Sequence, residues 1–233
     1  MNIKLTNLRG TIFTQRIPLD NESLTKLLPL FEGFSVEMVP TASDAPFPVP
    51  VAFNWSLVNS TKDCRIIFTN STIDIVKSVY IEYSEAAIKD FTKFCQSSYI
   101  AIYTKYKSMV SRMAMAPTLK IELGNNEEFI ELTKRIASVK TFKDTPISTM
   151  SFSDVYRVSE DICGSPILIN FLSNFNSAES IEGNSLSPVK EVQFAADINT
   201  FQLAHNEFTD SHLNDFYEKV AGWYLEFYRF YFG

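Results

Sequence analysis

The sequence predicts an α+β fold, with antiparallel sheet packed on long helices. Three observations carry that expectation. Short runs with period-two alternation recur along the chain, closed by turn clusters such as NSTKD, TNS and EGNSLSP. Four segments carry the three-four spacing of amphipathic helices. The order strand, helix, several strands, long helix is followed from about Met109 by strand, helix, three strands, long helix. That order suggests a duplicated β-α-β(3-4)-α unit of the helix-grip or TBP-like kind. Its halves are residues 1–108 and 109–233, closely packed as one globular unit.

Taken in order, MNIKLTNLRGTIFTQR alternates polar and apolar residues and reads as a strand. SLTKLLPLFEG (Ser23–Gly33) reads as a short helix, with Pro29 near its end and Gly33 as the stop. Alternation marks strands at 34–39, 54–59, 64–69 and 72–79. Between the first two lies PTASDAPFPVP (Pro40–Pro50), whose four prolines demand an extended loop. Ser84–Lys107 is a long helix with Ser84 as N-cap and a stripe of Ile88, Phe91, Cys95, Ile102 and Tyr106. SRMAMAPTLKIEL returns to a strand. Asn126–Lys140 has acids in its first turn and bases later, the order the helix dipole favours, with Phe129, Leu132, Ile136 and Val139 as its stripe. Strands follow at 151–159, 166–175 and 191–200, with a flexible stretch at Glu179–Pro188.

The last helix is the most apolar. Leu213, Phe216, Val220, Trp223, Phe227 and Phe230 form one stripe, and up to Lys219 the opposite face is polar, through His212, Asn214, Asp215 and Glu218. Beyond Gly222 that second face turns aromatic too, through Tyr224, Tyr228, Tyr231 and Phe232. A helix apolar nearly all round must be covered nearly all round, by its own core or by another chain.

With only 7 glycines in 233 residues, glycine-rich phosphate loops have little material to be built from. The net charge of −6 is uneven: residues 1–116 carry 12 Lys and Arg against 10 Asp and Glu, and residues 117–233 carry 9 against 17. An acidic half repels nucleic-acid backbone and anionic membrane, so neither is the expected partner. Cys64, Cys95 and Cys163, widely spaced and odd in number, read as reduced thiols rather than a disulfide framework. The N-terminus lacks the apolar run of a signal peptide, and no segment approaches the ~18 apolar residues of a membrane span. A cytoplasmic protein with no membrane partner is expected.

Clusters with chemical potential each have a plainer reading. His205 and His212 flank Glu207 and Asp210, but their spacing does not stack two imidazoles on one helical turn. Thr209 or Asp210 as a helix cap explains them, and no metal is expected. ICGSP (Ile162–Pro166) holds a thiol and a hydroxyl in a turn without an identifiable base. Glu127, Glu128 and Glu131, like Asp215 and Glu218, fit solvated helix surface. Lys105, Lys107 and Arg112 interleave with Tyr106 in the manner of a nucleic-acid reader, or simply of a helix C-terminus. Walker, dinucleotide, zinc and kinase signatures are missing, so no catalytic residue and no cofactor is assigned and the balance leans against an enzyme.

FNWSLVNSTKDCRIIFTNSTIDIVKSVYIEYSEAAIKDF, followed by SRMAM, combines a Trp strand, a Tyr-Phe helix start and an arginine-led strand. That combination resembles a sporadically distributed family of bacterial proteins without an assigned activity. Met113-Ala114 stands where that family places an aliphatic residue and glycine. The resemblance covers residues 50–120 and the chain's ending. It implies a bacterial accessory protein of a mobile-element or defence-type system, and carries over no site.

The leading expectation is therefore a non-enzymatic interaction subunit. It would bind a protein partner or a second copy through Trp223, Tyr224, Phe227, Tyr228, Tyr231 and Phe232, since aromatics give large contact area at low entropy. Glu226 and Arg229 would need partners if that segment were core. The alternative is a small-molecule binder or enzyme with an apolar cup between sheet and helix, which inward-facing polar residues such as Asn54, Ser56, Arg65 and Asp154 would support. Nucleic-acid binding is the third.

Overall fold

The structure, a computed structural model, describes residues 1–15, 17, 20–40, 53–136, 150–180, 189–201 and 207–233. The strands are β1 (Asn2–Thr14), β2 (Phe34–Pro40), β3 (Phe53–Asn59), β4 (Cys64–Phe68), β5 (Thr72–Glu82), β6 (Val110–Leu123), β7 (Ser151–Ile162), β8 (Ser165–Ser180) and β9 (Val189–Thr200). The helices are α1 (Asn21–Leu27), α2 (Glu85–Tyr106), α3 (Asn126–Ile136) and α4 (Asp210–Phe232). All nine strands join one antiparallel sheet in the order β2-β3-β4-β5-β1-β6-β9-β8-β7. The expected α+β class is what the chain adopts. Element order runs β-α-β-β-β-β-α and then β-α-β-β-β-α, with β1 and β6 adjacent at the centre.

Period-two alternation sorts each strand's residues between two faces. Leu8 and Ile12 of β1, Met113 and Met115 of β6, and Phe194 and Ile198 of β9 are buried on the helix face. Gly10 lies among them because α2 passes so close that a Cβ there would sit 2.6 Å from Cys95 Sγ. The opposite face is polar and largely satisfied by its own groups. A single row crosses it from Glu37 on β2 through Asp74, Thr11, Ala114, Asn199 and Asn170 to Arg157 on β7. Along that row, Thr11 Oγ1 donates to Asp74 at 2.6 Å, Asn170 Nδ2 to Asn199 Oδ1 at 2.9 Å, and Arg157 Nε to Asn170 Oδ1 at 3.1 Å. Arg9 adds two hydrogen bonds to Asp74, at 2.8 and 2.9 Å.

α2 and α4 lie antiparallel and side by side. Gln96 Nε2 donates to Asn214 at one end, and Arg229 pairs with Glu85 at 3.0 Å at the other. Along the same seam, Tyr99 meets Tyr217 at 5.2 Å, and Tyr83, just before α2, stacks on Tyr228 at 4.0 Å. Ser84 caps α2 as expected, accepting from the Ala87 N–H at 3.3 Å. At the head of α4 the Thr209 N–H donates to His212 Nδ1 at 3.3 Å, which gives His212 a capping role.

Several element ends differ from expectation. The first helix stops at Leu27 and tightens into a 3-10 turn at Leu28–Leu30, because Pro29 has no N–H to continue the ladder. The third stops at Ile136 among the described residues, and Val139 and Lys140 lie outside them. Glu179 and Ser180 extend β8 rather than starting a flexible stretch. The rest of that stretch, most of the proline-rich segment and His205 lie outside the described residues.

The aromatic ending calls for a correction. Trp223, Tyr224, Phe227 and Tyr231 are 9%, 0%, 7% and 4% exposed, and Tyr228 and Phe232 are half-buried against the same core. They are not a docking surface. The reason is geometric: α4 has sheet beneath it, α2 on one flank and the β7–β8 hairpin on the other. Tyr224 and Tyr228 turn toward α2, whereas Phe227 and Tyr231 turn toward β8. Arg229 finds Glu85, and Glu226 has no partner among the described residues. One cost remains visible, since the Tyr224 hydroxyl is buried without a hydrogen-bond partner among the described residues. Tyr224→Phe is therefore expected to leave stability unchanged or raise it by up to about 1 kcal/mol in urea unfolding. A loss above that size would mean the hydroxyl has a partner.

Candidate ligand-binding site

Strand spacing sets where a site can form. At ~4.8 Å per strand a nine-stranded sheet is roughly 38 Å wide. Two helices side by side cover only about 20 Å. α1, the turn after it and α3 add Leu27, Phe31 and Phe129 to the same core, and among the described residues the bare helix-face stretch is on β7 beside α4, where Tyr156 and Val158 are exposed.

The margin beside α2 holds a mixed hollow of about 270 Å³, with Asn59, Asp63, Lys77 and Asp90 on one side and Phe34, Phe91 and Phe94 on the other. Asn59 Nδ2 and Thr61 Oγ1 donate to Asp63, holding its carboxyl below the usual range. These groups already satisfy one another, as expected of a loop anchor.

The margin beside α4 is different. A cleft of about 290 Å³ opens between that helix and the β7–β8 hairpin. Alternation aims Tyr156, Val158 and Glu160 of β7 into it, with Phe171 from β8 as the floor. Helical spacing brings Trp223, Glu226, Phe227 and Phe230 of α4 to the other wall. The rings are locked against each other: Tyr156 stands edge-on to Phe227 at 6.2 Å and to Phe230 at 5.9 Å, and Phe171 meets Phe227 at 5.6 Å.

Hydrogen bonds pin Tyr156, one of the lining residues. The Tyr156 and Tyr231 hydroxyls each donate to Asp154 Oδ2 at 3.2 Å, and Tyr231 also pairs with Ser173 Oγ at 2.9 Å. Burial pushes the Tyr231 hydroxyl well above its ordinary pKa, so it stays protonated as a donor. Glu160 and Glu226 have no hydrogen bond or ion pair among the described residues, and the cleft's described lining contains no Lys, Arg or His. Such a cleft can hold an apolar body and orient it, and the reactive groups of its described lining are the Glu160 and Glu226 carboxylates and the Tyr156 phenol.

The hairpin that forms one wall is itself pinned. Cys163 and Gly164, with φ of 54° and 77°, make the two-residue turn between β7 and β8. The Cys163 N–H donates to Asp215 at 2.8 Å, and Lys219 bridges Asp215 to the Asp161 carbonyl. Cys163 is exposed rather than buried, yet partial desolvation, followed by the Asp215 charge, raises its thiol above the usual pKa. A raised thiol is a poorer nucleophile at neutral pH.

Of the residues singled out from sequence, Trp223 and Phe227 reach the cleft wall, and Asp154 accepts from the lining residue Tyr156. Ser56 and Arg65 belong to the opposite sheet face, in register with Ile67 and Val76. Lys105 and Lys107 lie at the end of α2, where Lys107 closes the helix at φ 50°. Arg112 is on the polar sheet face, its guanidinium 4.9 Å over the Phe13 ring. The structure therefore does not gather Lys105, Lys107 and Arg112 into one patch. Glu128 accepts from the N-terminal amine at 3.1 Å and from the Gly124 N–H, an anchor for α3. Tyr156, Glu160 and Phe230 went unassigned. Alternation already placed Asp154, Tyr156, Val158 and Glu160 on one side of a strand, but which side faced the helix was not legible.

No family model matches the chain, and no curated protein matches it either. Among solved structures, a rolling circle replication initiator protein from Geobacillus stearothermophilus is similar at 9% identity, over 95% of this chain and 79% of that one. Its TM-score of 0.29 is too low for any property of that protein to be carried over. The described residues hold no helix long and apolar enough to cross a membrane. The expectation of an accessory subunit docking through its aromatic helix is corrected: Trp223, Tyr224, Phe227 and Tyr231 are buried in this chain's own core.

Proposed function

We propose that this chain is a small-molecule-binding protein whose ligand occupies the cleft between α4 and the β7–β8 hairpin. The observation that supports the reading is the exposure of Phe230 at 66%, with Tyr156 at 41% and Val158 at 43%, directly beside the buried Phe227 and Tyr231. Small-molecule sites are concave, mostly apolar and largely preformed, with a few polar groups to fix orientation. The interlocked rings, the Tyr156 hydroxyl and the two carboxylates of the lining meet that description. At about 290 Å³ the cleft suits a compact ligand with a single ring or short chain.

Amide-resolved NMR with a set of small apolar fragments tests the reading. Perturbed amides are expected in β7, β8 and the last three turns of α4. Phe230→Ala should weaken binding two- to tenfold, the equivalent of one lost aromatic contact of ~0.5–1.5 kcal/mol. The same change should move stability by less than about 0.5 kcal/mol, because Phe230 is a surface residue. Fragments that leave the cleft amides unmoved would overturn the proposal.

A further inference from the structure

We infer that the cleft selects an organic cation, an alkyl- or arylammonium with a small apolar body. This rests on the cleft being a ligand site, and adds the ligand's charge. Three features converge on that class. Tyr156 and Phe230, 41% and 66% exposed, bring two accessible aromatic rings to the cleft with the buried Phe227 behind them, and aromatic faces attract cations. Glu160 on one wall and Glu226 on the other supply two carboxylates without partners among the described residues. No basic side chain lines the cleft among the described residues, so nothing there neutralises those charges.

The disposition of nearby charges sharpens the argument. Arg229, three residues from Glu226, is drawn to the α2 side by Glu85 at 3.0 Å. Lys219, two turns before Glu226 on α4, is held by Asp215 and the Asp161 carbonyl. Arg157, on β7, points to the other side of the sheet, toward Asn170 and the Phe201 ring. The bases closest in sequence are each engaged elsewhere, and the cleft keeps its negative field. An anion would meet two like charges, and a neutral ligand would leave both carboxylates unanswered. A cation gains from the rings and from the acids together.

The test compares 2-phenylethylammonium with 2-phenylethanol, a neutral compound of nearly the same shape, by NMR titration in 150 mM salt. That salt screens non-specific attraction to the acidic chain. The cation is expected to bind at least fivefold more tightly, with Glu160→Gln and Glu226→Gln each reducing that preference and leaving the neutral compound's affinity unchanged. Equal binding of the two compounds at the cleft overturns the charge selection while the ligand-site reading stands. A preference that survives both substitutions overturns the assignment to these carboxylates. Failure of both compounds overturns the inference, and a blank apolar fragment set alongside it overturns the ligand site as well.

Discussion

Phe175→Ala is expected to remove about 3–5 kcal/mol of stability, the cost of deleting a fully buried aromatic ring from a core that collapses only partly. Phe175 is 0% exposed on the helix face of β8. Its ring lies 4.7 Å from Phe194, 5.0 Å from Tyr231, 6.2 Å from Phe232 and 6.3 Å from Phe152. It therefore joins β7, β8, β9 and the last turn of α4 in one cluster. At roughly 2–4 °C per kcal/mol for a chain of this size, the melting temperature should fall by about 10 °C. Chemical denaturation followed by tryptophan fluorescence measures it. A loss below about 1 kcal/mol would mean that the aromatic ending is loosely seated, contrary to its burial.

Gly10→Ala tests the other packing constraint. The added Cβ would sit 2.6 Å from Cys95 Sγ and 3.4 Å from the Tyr99 hydroxyl, in the seam where α2 crosses the central strand. Both neighbours are 0% exposed, so neither can swing into solvent. Overpacking of this kind costs about 1–3 kcal/mol. Cys95→Ala in the same chain removes the sulfur and leaves the residue 95 Cβ at 3.5 Å, an ordinary contact. The double variant should be more stable than the sum of the single losses predicts, by about 1 kcal/mol or more. Strict additivity would place the strain elsewhere than in the Gly10–Cys95 contact.

The contrast between Phe227 and Phe230 shows where sequence reading stops. Helical spacing put both on one apolar stripe, and only one of them is buried, at 7% against 66% exposure. Periodicity reports the angle between two side chains on the same helix. It does not report how far the neighbouring sheet extends beneath each of them. The same limit applies to β7. Its alternation was visible, but the strand is the sheet's edge only because β8 and β9 fill the space between it and β6. That position follows from pairing, which period-two patterning alone does not specify. Asn170 and Asn199, 29 residues apart, meet at 2.9 Å for the same reason.

What the sequence by itself determined is the set of elements: the α+β class, the repeating strand and helix order, the Ser84 cap, and an aromatic final helix that had to be covered. These follow from local rules of periodicity, capping and turn chemistry that act over a few neighbouring residues. The tertiary structure alone decided what covers that helix and what it leaves open. The last helix packs between α2 and β8, so the aromatics on those two sides became core. Those facing the uncovered edge, with Glu160 and Glu226 beside them, became a cleft.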